Sequence, residues 1–108
     1  MAKFEVSTRK NGEFQFVLKA DNGVTILSSE GYSSKDGCMN GIESVKKNSQ
    51  SQDNFSLMES SNGKFYFNLK AANGQVIGTS QMYADADGRS NGIGSVIKNA
   101  HNADISEV

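Results

Sequence analysis

A chain of 108 residues, 36% hydrophobic and 21% charged, is long enough for one shared core and short for two independent ones. Its net charge of −1 excludes the strongly basic balance of most nucleic-acid binders, and its single cysteine excludes an internal disulfide. The charged start Met1-Ala2-Lys3-Phe4-Glu5-Val6 is not a signal peptide and no run approaches a membrane span, so a soluble, cytoplasmic protein is expected.

Taken in order, Phe4-Glu5-Val6-Ser7 alternates apolar and polar residues, the pattern of a half-buried strand. Asn11-Gly12 follows as a tight turn that accepts positive φ. The next strand points Phe14, Phe16, Leu18 and Ala20 one way and Glu13, Gln15, Val17 and Lys19 the other. A second Asn-Gly, at 22–23, turns the chain into Val24-Thr25-Ile26-Leu27, completing a three-stranded antiparallel meander. Ser33 or Ser34 then caps a helix whose apolar stripe is Cys38, Ile42, Val45 and Ser49. Gly41 inside it costs about 1 kcal/mol relative to Ala. Either a close approach of helix to sheet offsets that cost, or the helix is interrupted at Asn40-Gly41.

Adding 51 to each number repeats the whole pattern. Phe14-Gln15-Phe16-Val17-Leu18-Lys19-Ala20-Asp21-Asn22-Gly23 returns as Phe65-Tyr66-Phe67-Asn68-Leu69-Lys70-Ala71-Ala72-Asn73-Gly74. The second helix carries Ile93, Val96, Ile97 and Ala100, and Asp104 matches Asp53, so the tail reads as a closing strand. A unit of about 50 residues is marginal alone, which predicts two copies sharing one interior. The expected organisation is a single domain over 1–108: repeat one at about 3–51, repeat two at about 54–102, and a closing strand at 103–108. Residues 1–51 alone should be unfolded or dimeric, for want of the strand that Phe55-Ser56-Leu57 contributes.

The motifs F-x-F-x-L-K-A-x-N-G, I-x-x-S-x-x-Y and N-G-I-x-S-V-x-K-N, from Phe4 to Asn99, resemble those of the bacterial YegP-like proteins. The resemblance implies an α+β fold: two tandem β-β-β-α repeats plus a C-terminal strand, forming one antiparallel sheet with two helices packed on it. It also implies C-terminal strands exchanged between the repeats, or between subunits where only one copy is present. It supplies no activity and no catalytic residues.

Chemistry-bearing groups are sparse. His101 is the sole histidine and sits at the polar end of the second helix, where a solvated, dipole-friendly role is ordinary. Cys38 aligns with Arg89, outside the shared design, and reads as a partly buried inert thiol. Asp85-Ala86-Asp87-Gly88 begins like a calcium loop but lacks its later ligands, so helix capping by Asp85 or Asp87 is simpler. Gly88 to Gly94 has no phosphate-loop lysine. The expectation is no catalytic, metal or cofactor-binding residue, and the reading favours a non-enzyme. Repeated polar residues (Lys19/Lys70, Ser29/Ser80, Tyr32/Tyr83, Lys47/Lys98, Asn48/Asn99) are read as structural, the tyrosines as rings packed at the strand-to-helix corner. The asparagines fit helix C-termini that tolerate left-handed backbone.

If both helices cover the face bearing Phe14, Phe16, Leu18 and Ile26, the other face carries Val17, Leu27, Met58, Tyr66 and Val76 among Lys19 and Lys70. Such a mixed patch suits a partner surface. The function expected is a non-catalytic binding module, a monomer and internal pseudo-dimer, with protein or peptide as partner. A nucleic-acid accessory role and a small-metabolite binder or enzyme are the alternatives. The first would stack bases on Tyr66, against the charge balance.

Overall fold

The computed structural model describes residues 2–108. Strands β1 (Lys3–Thr8), β2 (Phe14–Lys19) and β3 (Thr25–Ser28) precede helix α1 (Lys35–Asn48). A single 3-10 turn, Gln52–Asn54, leads into β4 (Phe55–Glu59), β5 (Phe65–Lys70), β6 (Val76–Thr79), helix α2 (Ala86–Ala100) and β7 (Asp104–Glu107). The α+β architecture of two β-β-β-α repeats and a closing strand is as the sequence implies.

The seven strands form one open sheet in the order β4-β5-β6-β3-β2-β1-β7. Each repeat is an antiparallel meander, and the two meet where β3 runs antiparallel to β6 at Ser28 and Thr79. The strand β7 lies parallel to β1, so the sheet is mixed rather than wholly antiparallel. Alternation of apolar residues fixes which face a strand buries, and it carries no information about the direction of a distant neighbour.

Strand lending between the repeats runs one way in the sheet. The second repeat supplies β7 to the edge of the first, whereas β4, which follows α1, pairs with β5 of its own repeat. Phe55-Ser56-Leu57 therefore does not complete the first repeat as the sequence suggested. What the first repeat borrows is β6 beside β3 and β7 beside β1.

Both helices cover one face. Phe4, Phe16, Leu18, Phe67 and Leu69 from the strands join Ile42, Val45, Ile93 and Val96 from the helices in one buried cluster. Ser34 Oγ caps α1 by accepting from the Gly37 N–H at 3.0 Å, and Asp85 Oδ1 caps α2 from the Gly88 N–H at 2.7 Å. Helix α1 runs through Asn40-Gly41 without a break. At Gly41 a Cβ would lie 2.7 Å from Cζ of Tyr32, and at Gly92 it would lie 2.6 Å from Cζ of Tyr83. The glycines are seats for these rings, which stack on Phe16 and Phe67 with centroids 6.1 and 6.4 Å apart. Close approach thus offsets the helix cost, through a tyrosine rather than through the sheet backbone.

The Asn-Gly turns also form, in a different geometry from a two-residue hairpin. Gly12 N–H donates to the Arg9 carbonyl and Arg9 N–H to the Glu13 carbonyl, which closes a three-residue loop. Only the glycine is left-handed (φ 86°), while the Asn11 side chain accepts from the Glu13 N–H.

Candidate binding surfaces

The uncovered face of the sheet is built from every second strand residue. Across its middle the register aligns Ser56, Asn68, Thr79, Ser28, Val17 and Glu5, a row that is polar except for Val17. Glu5 draws Lys19 and Lys3 to 3.0 and 3.1 Å, and these two ammonium groups hold its carboxyl below the usual carboxylate range. The apolar residues gather at the second repeat. Met58 stands opposite Tyr66, and Val76 opposite Lys70, all half-buried. The matching positions of the first repeat are Ser7, Gln15, Thr25 and Lys19, so the patch belongs to one repeat only.

Of the residues expected on this face, Val17, Lys19, Met58, Tyr66, Lys70 and Val76 are there. Leu27 is not. It stands opposite Leu18, is fully buried and belongs to the core. The register shifts between Leu18 and Lys19, and this bulge keeps Ile26 and Leu27 together in the core, breaking strict alternation. Leu27 packs over Gly78 across the β3–β6 seam, where a Cβ on the glycine would meet Leu27 at 2.7 Å. Residue 78 is the repeat partner of residue 27, so near the pseudo-twofold axis one leucine fills the space that two could not share.

The repeated polar residues are mostly structural. Ser29 Oγ accepts from the Phe16 N–H and donates to the Glu30 carbonyl, and Ser80 repeats this with Phe67 and Gln81, all at 2.8–2.9 Å. Asn48 and Asn99 do not take left-handed backbone, which among the described residues only glycines do. Their amides donate at 2.8 Å to the carbonyls of Ser44 and Ser95, one turn back. Each helix also faces the other repeat's Asn-Gly turn across a shallow cleft. Asn40, Ser44 and Lys47 face Ala71–Asn73, and Asn91, Ser95 and Lys98 face Ala20–Asn22. Of the duplicated pairs, Lys47/Lys98 and Asn48/Asn99 therefore line the junction between repeats.

Cys38 is fully buried, and burial pushes its thiol up, away from a nucleophilic thiolate. His101 is an exposed residue at the end of α2. Among the described residues no group of three His, Cys, Asp or Glu could hold a metal ion, and no helix is long and apolar enough to cross a membrane.

Sequence reasoning missed Arg89. Its Nη1 donates to the Met58 carbonyl at 2.9 Å, its guanidinium lies 5.0 Å from the Phe65 ring centroid, and its Nε is buried without a hydrogen-bond partner. The available signal was the asymmetry of the repeats, Arg89 for Cys38 and Ser90 for Met39, in a stretch otherwise alike.

Fold and surfaces together define a tandem-repeat α+β protein with one open sheet. The family described as Domain of unknown function (DUF1508) matches the chain twice, over residues 10–55 and 60–107. The UPF0339 protein YegP of Escherichia coli K12 is 55% identical over 96 residues, covering 89% of this chain and 87% of its own. A UPF0339 protein of Stutzerimonas stutzeri, from the 5′ region of the ptx operon, is 52% identical over 105 residues, 97% of this chain and 95% of its own. The solution structure of a Shewanella oneidensis UPF0339 protein superposes with a TM-score of 0.93 at 50% identity, covering 98% of this chain and 90% of that one. The solution structure of E. coli YegP, described as a protein of unknown function, gives the same score and identity. The chain belongs to the UPF0339 family of YegP-like proteins.

Proposed function

We propose that the chain is a non-catalytic binding module that engages a protein or peptide through the open face of its sheet, at the end formed by the second repeat. The observation that carries this is the pairing of Met58 with Tyr66 and of Val76 with Lys70 on an uncovered face, where the matching positions of the first repeat are Ser7, Gln15, Thr25 and Lys19. An aromatic ring opposite a methionine on one side of the polar Ser56-Asn68-Thr79 row, and a valine opposite a lysine on the other, combine adaptable apolar contact with polar surroundings. Duplication made two equivalent faces, and Met58, Tyr66 and Val76 stand on one of them only. The buried thiol suits a reducing compartment, the cytoplasm, and the internal pseudo-dimer suits a monomer.

A photo-cross-linking side chain in place of Tyr66 tests this in cells. It should capture one discrete partner, the same group in place of the exposed Lys47 should not, and Met58→Lys should abolish the capture. Equal, diffuse labelling from both positions would remove the case for this face.

A further inference from the structure

The two edges of the sheet are not equivalent. The edge strand β1 of the first repeat is covered by β7, but its repeat partner β4 has no strand beyond it. Phe65 exchanges backbone bonds with Tyr83, and the Phe67 carbonyl accepts from Ser80, so both turn away from β4. Tyr66 and Asn68 face β4 instead, opposite Met58 and Ser56. The alternation of an antiparallel ladder then aims the N–H and C=O of Leu57 outward, away from the sheet. In the first repeat the same carbonyl, that of Val6, accepts from the Val108 N–H at 2.9 Å. The side chains tell the same story: Val6 is 3% exposed beside β7, and Leu57, on a bare edge, is 61% exposed.

Beside this edge lies a cleft of about 350 Å³ between β4 and α2, lined by Gln52, Asp53, Phe55, Leu57, Ser90 and Ile93. The first repeat has Met39, packed against the core, where the second has Ser90. The cleft is thus lined by a serine where the first repeat, in which Ile105 of β7 lies opposite Phe4, has a methionine.

Charge separates the two edges further. Around β7 the first repeat places Ala2, Lys3, Thr8, Ser34 and Lys35, and Lys35 forms an ion pair with Glu107. The matching positions around β4 are Asp53, Asn54, Glu59, Asp85 and Ala86. Both lysines are gone and three carboxylates have come in. Asp87, like Asp36 in the first repeat, adds another, while Arg89 is turned to the Met58 carbonyl. A strand like β7, with Asp104 and Glu107, would be repelled here, which selects against insertion of a second copy's tail.

We infer that β4 and its cleft form a strand-addition site for an extended partner segment. That segment lies parallel to β4, seats a bulky apolar side chain opposite Phe55, and carries basic residues on either side of it. Such addition draws affinity from main-chain bonds and specificity from alternate side chains, and an unprotected edge with a leucine at its centre is otherwise a liability. This site is on the far side of the sheet rim from the Tyr66 patch, and either can fail without the other.

The test is an NMR titration of the full-length, ¹⁵N-labelled protein with the synthetic peptide acetyl-TKTLTKT-amide. Shifts should appear at Leu57, Glu59, Ser90 and Ile93, weaken with added salt, and require at least about tenfold more of acetyl-TDTLTDT-amide. Leu57→Pro, which removes the outward N–H without taking a ladder bond from β5 and also removes the leucine side chain at the cleft, should abolish them, as should Leu57→Lys if the proline variant misfolds. No response at millimolar peptide, equal response to the acidic peptide, or shifts confined to Tyr66 or to β1 and β7 would overturn the inference. So would peptide-free association that broadens Leu57, which would assign the edge to a second copy.

Discussion

At the scale of single residues, the glycines separate space from propensity. Gly41→Ala gains about 1 kcal/mol of helix propensity but drives a Cβ into the Tyr32 ring, and overpacking of this kind costs about 1–3 kcal/mol. Gly94, also inside a helix, has no neighbouring atom within 4 Å of an added Cβ. Gly94→Ala should therefore raise the urea midpoint while Gly41→Ala lowers it, a reversal that propensity alone would not produce. Glu5 gives a pH signature. Lys19 and then Lys3 depress its pKa in the folded state, so its contribution is present above the unfolded carboxylate's pKa and lost as pH falls through the lower folded value. Glu5→Gln should flatten the fall in urea midpoint below about pH 5 while changing little at higher pH. The tyrosine seats were half legible in the sequence: Gly41 and Tyr32 each stood out, and their contact did not, because they are nine positions apart along the chain.

Among the elements, the seam between β3 and β6 joins the repeats. It holds Leu27 against Gly78, one large and one absent side chain at repeat-related positions. Gly78→Leu should destabilise by overpacking and Leu27→Gly by opening a cavity, each by about 2 kcal/mol or more. The double swap should recover part of the loss, a coupling that chemical denaturation of the four proteins would measure. Additive losses would separate the two residues. The alternation that located the strands misplaced this leucine, because a bulge inserts one residue and flips the face of the residues after it. Nothing in Val24-Thr25-Ile26-Leu27 marks where the extra residue falls.

For the whole molecule, a fragment of residues 1–51 lacks β6 beside β3 and β7 beside β1. It should be unfolded, or paired with a second copy that restores the β3 seam, and sedimentation with circular dichroism distinguishes these from a folded monomer. A well-folded monomeric fragment would contradict the shared core. The repeat, the meanders, the helix N-caps and the helix faces were determined by the sequence, because turns, N-caps and periodicity are properties of neighbouring residues. Which strands lie at the edges was decided by tertiary structure alone. Two copies in one chain supply a single closing strand, so β1 is covered and β4 is left bare. The same packing decided that Leu27 is core and that Leu57, its face identical to that of Val6, meets water.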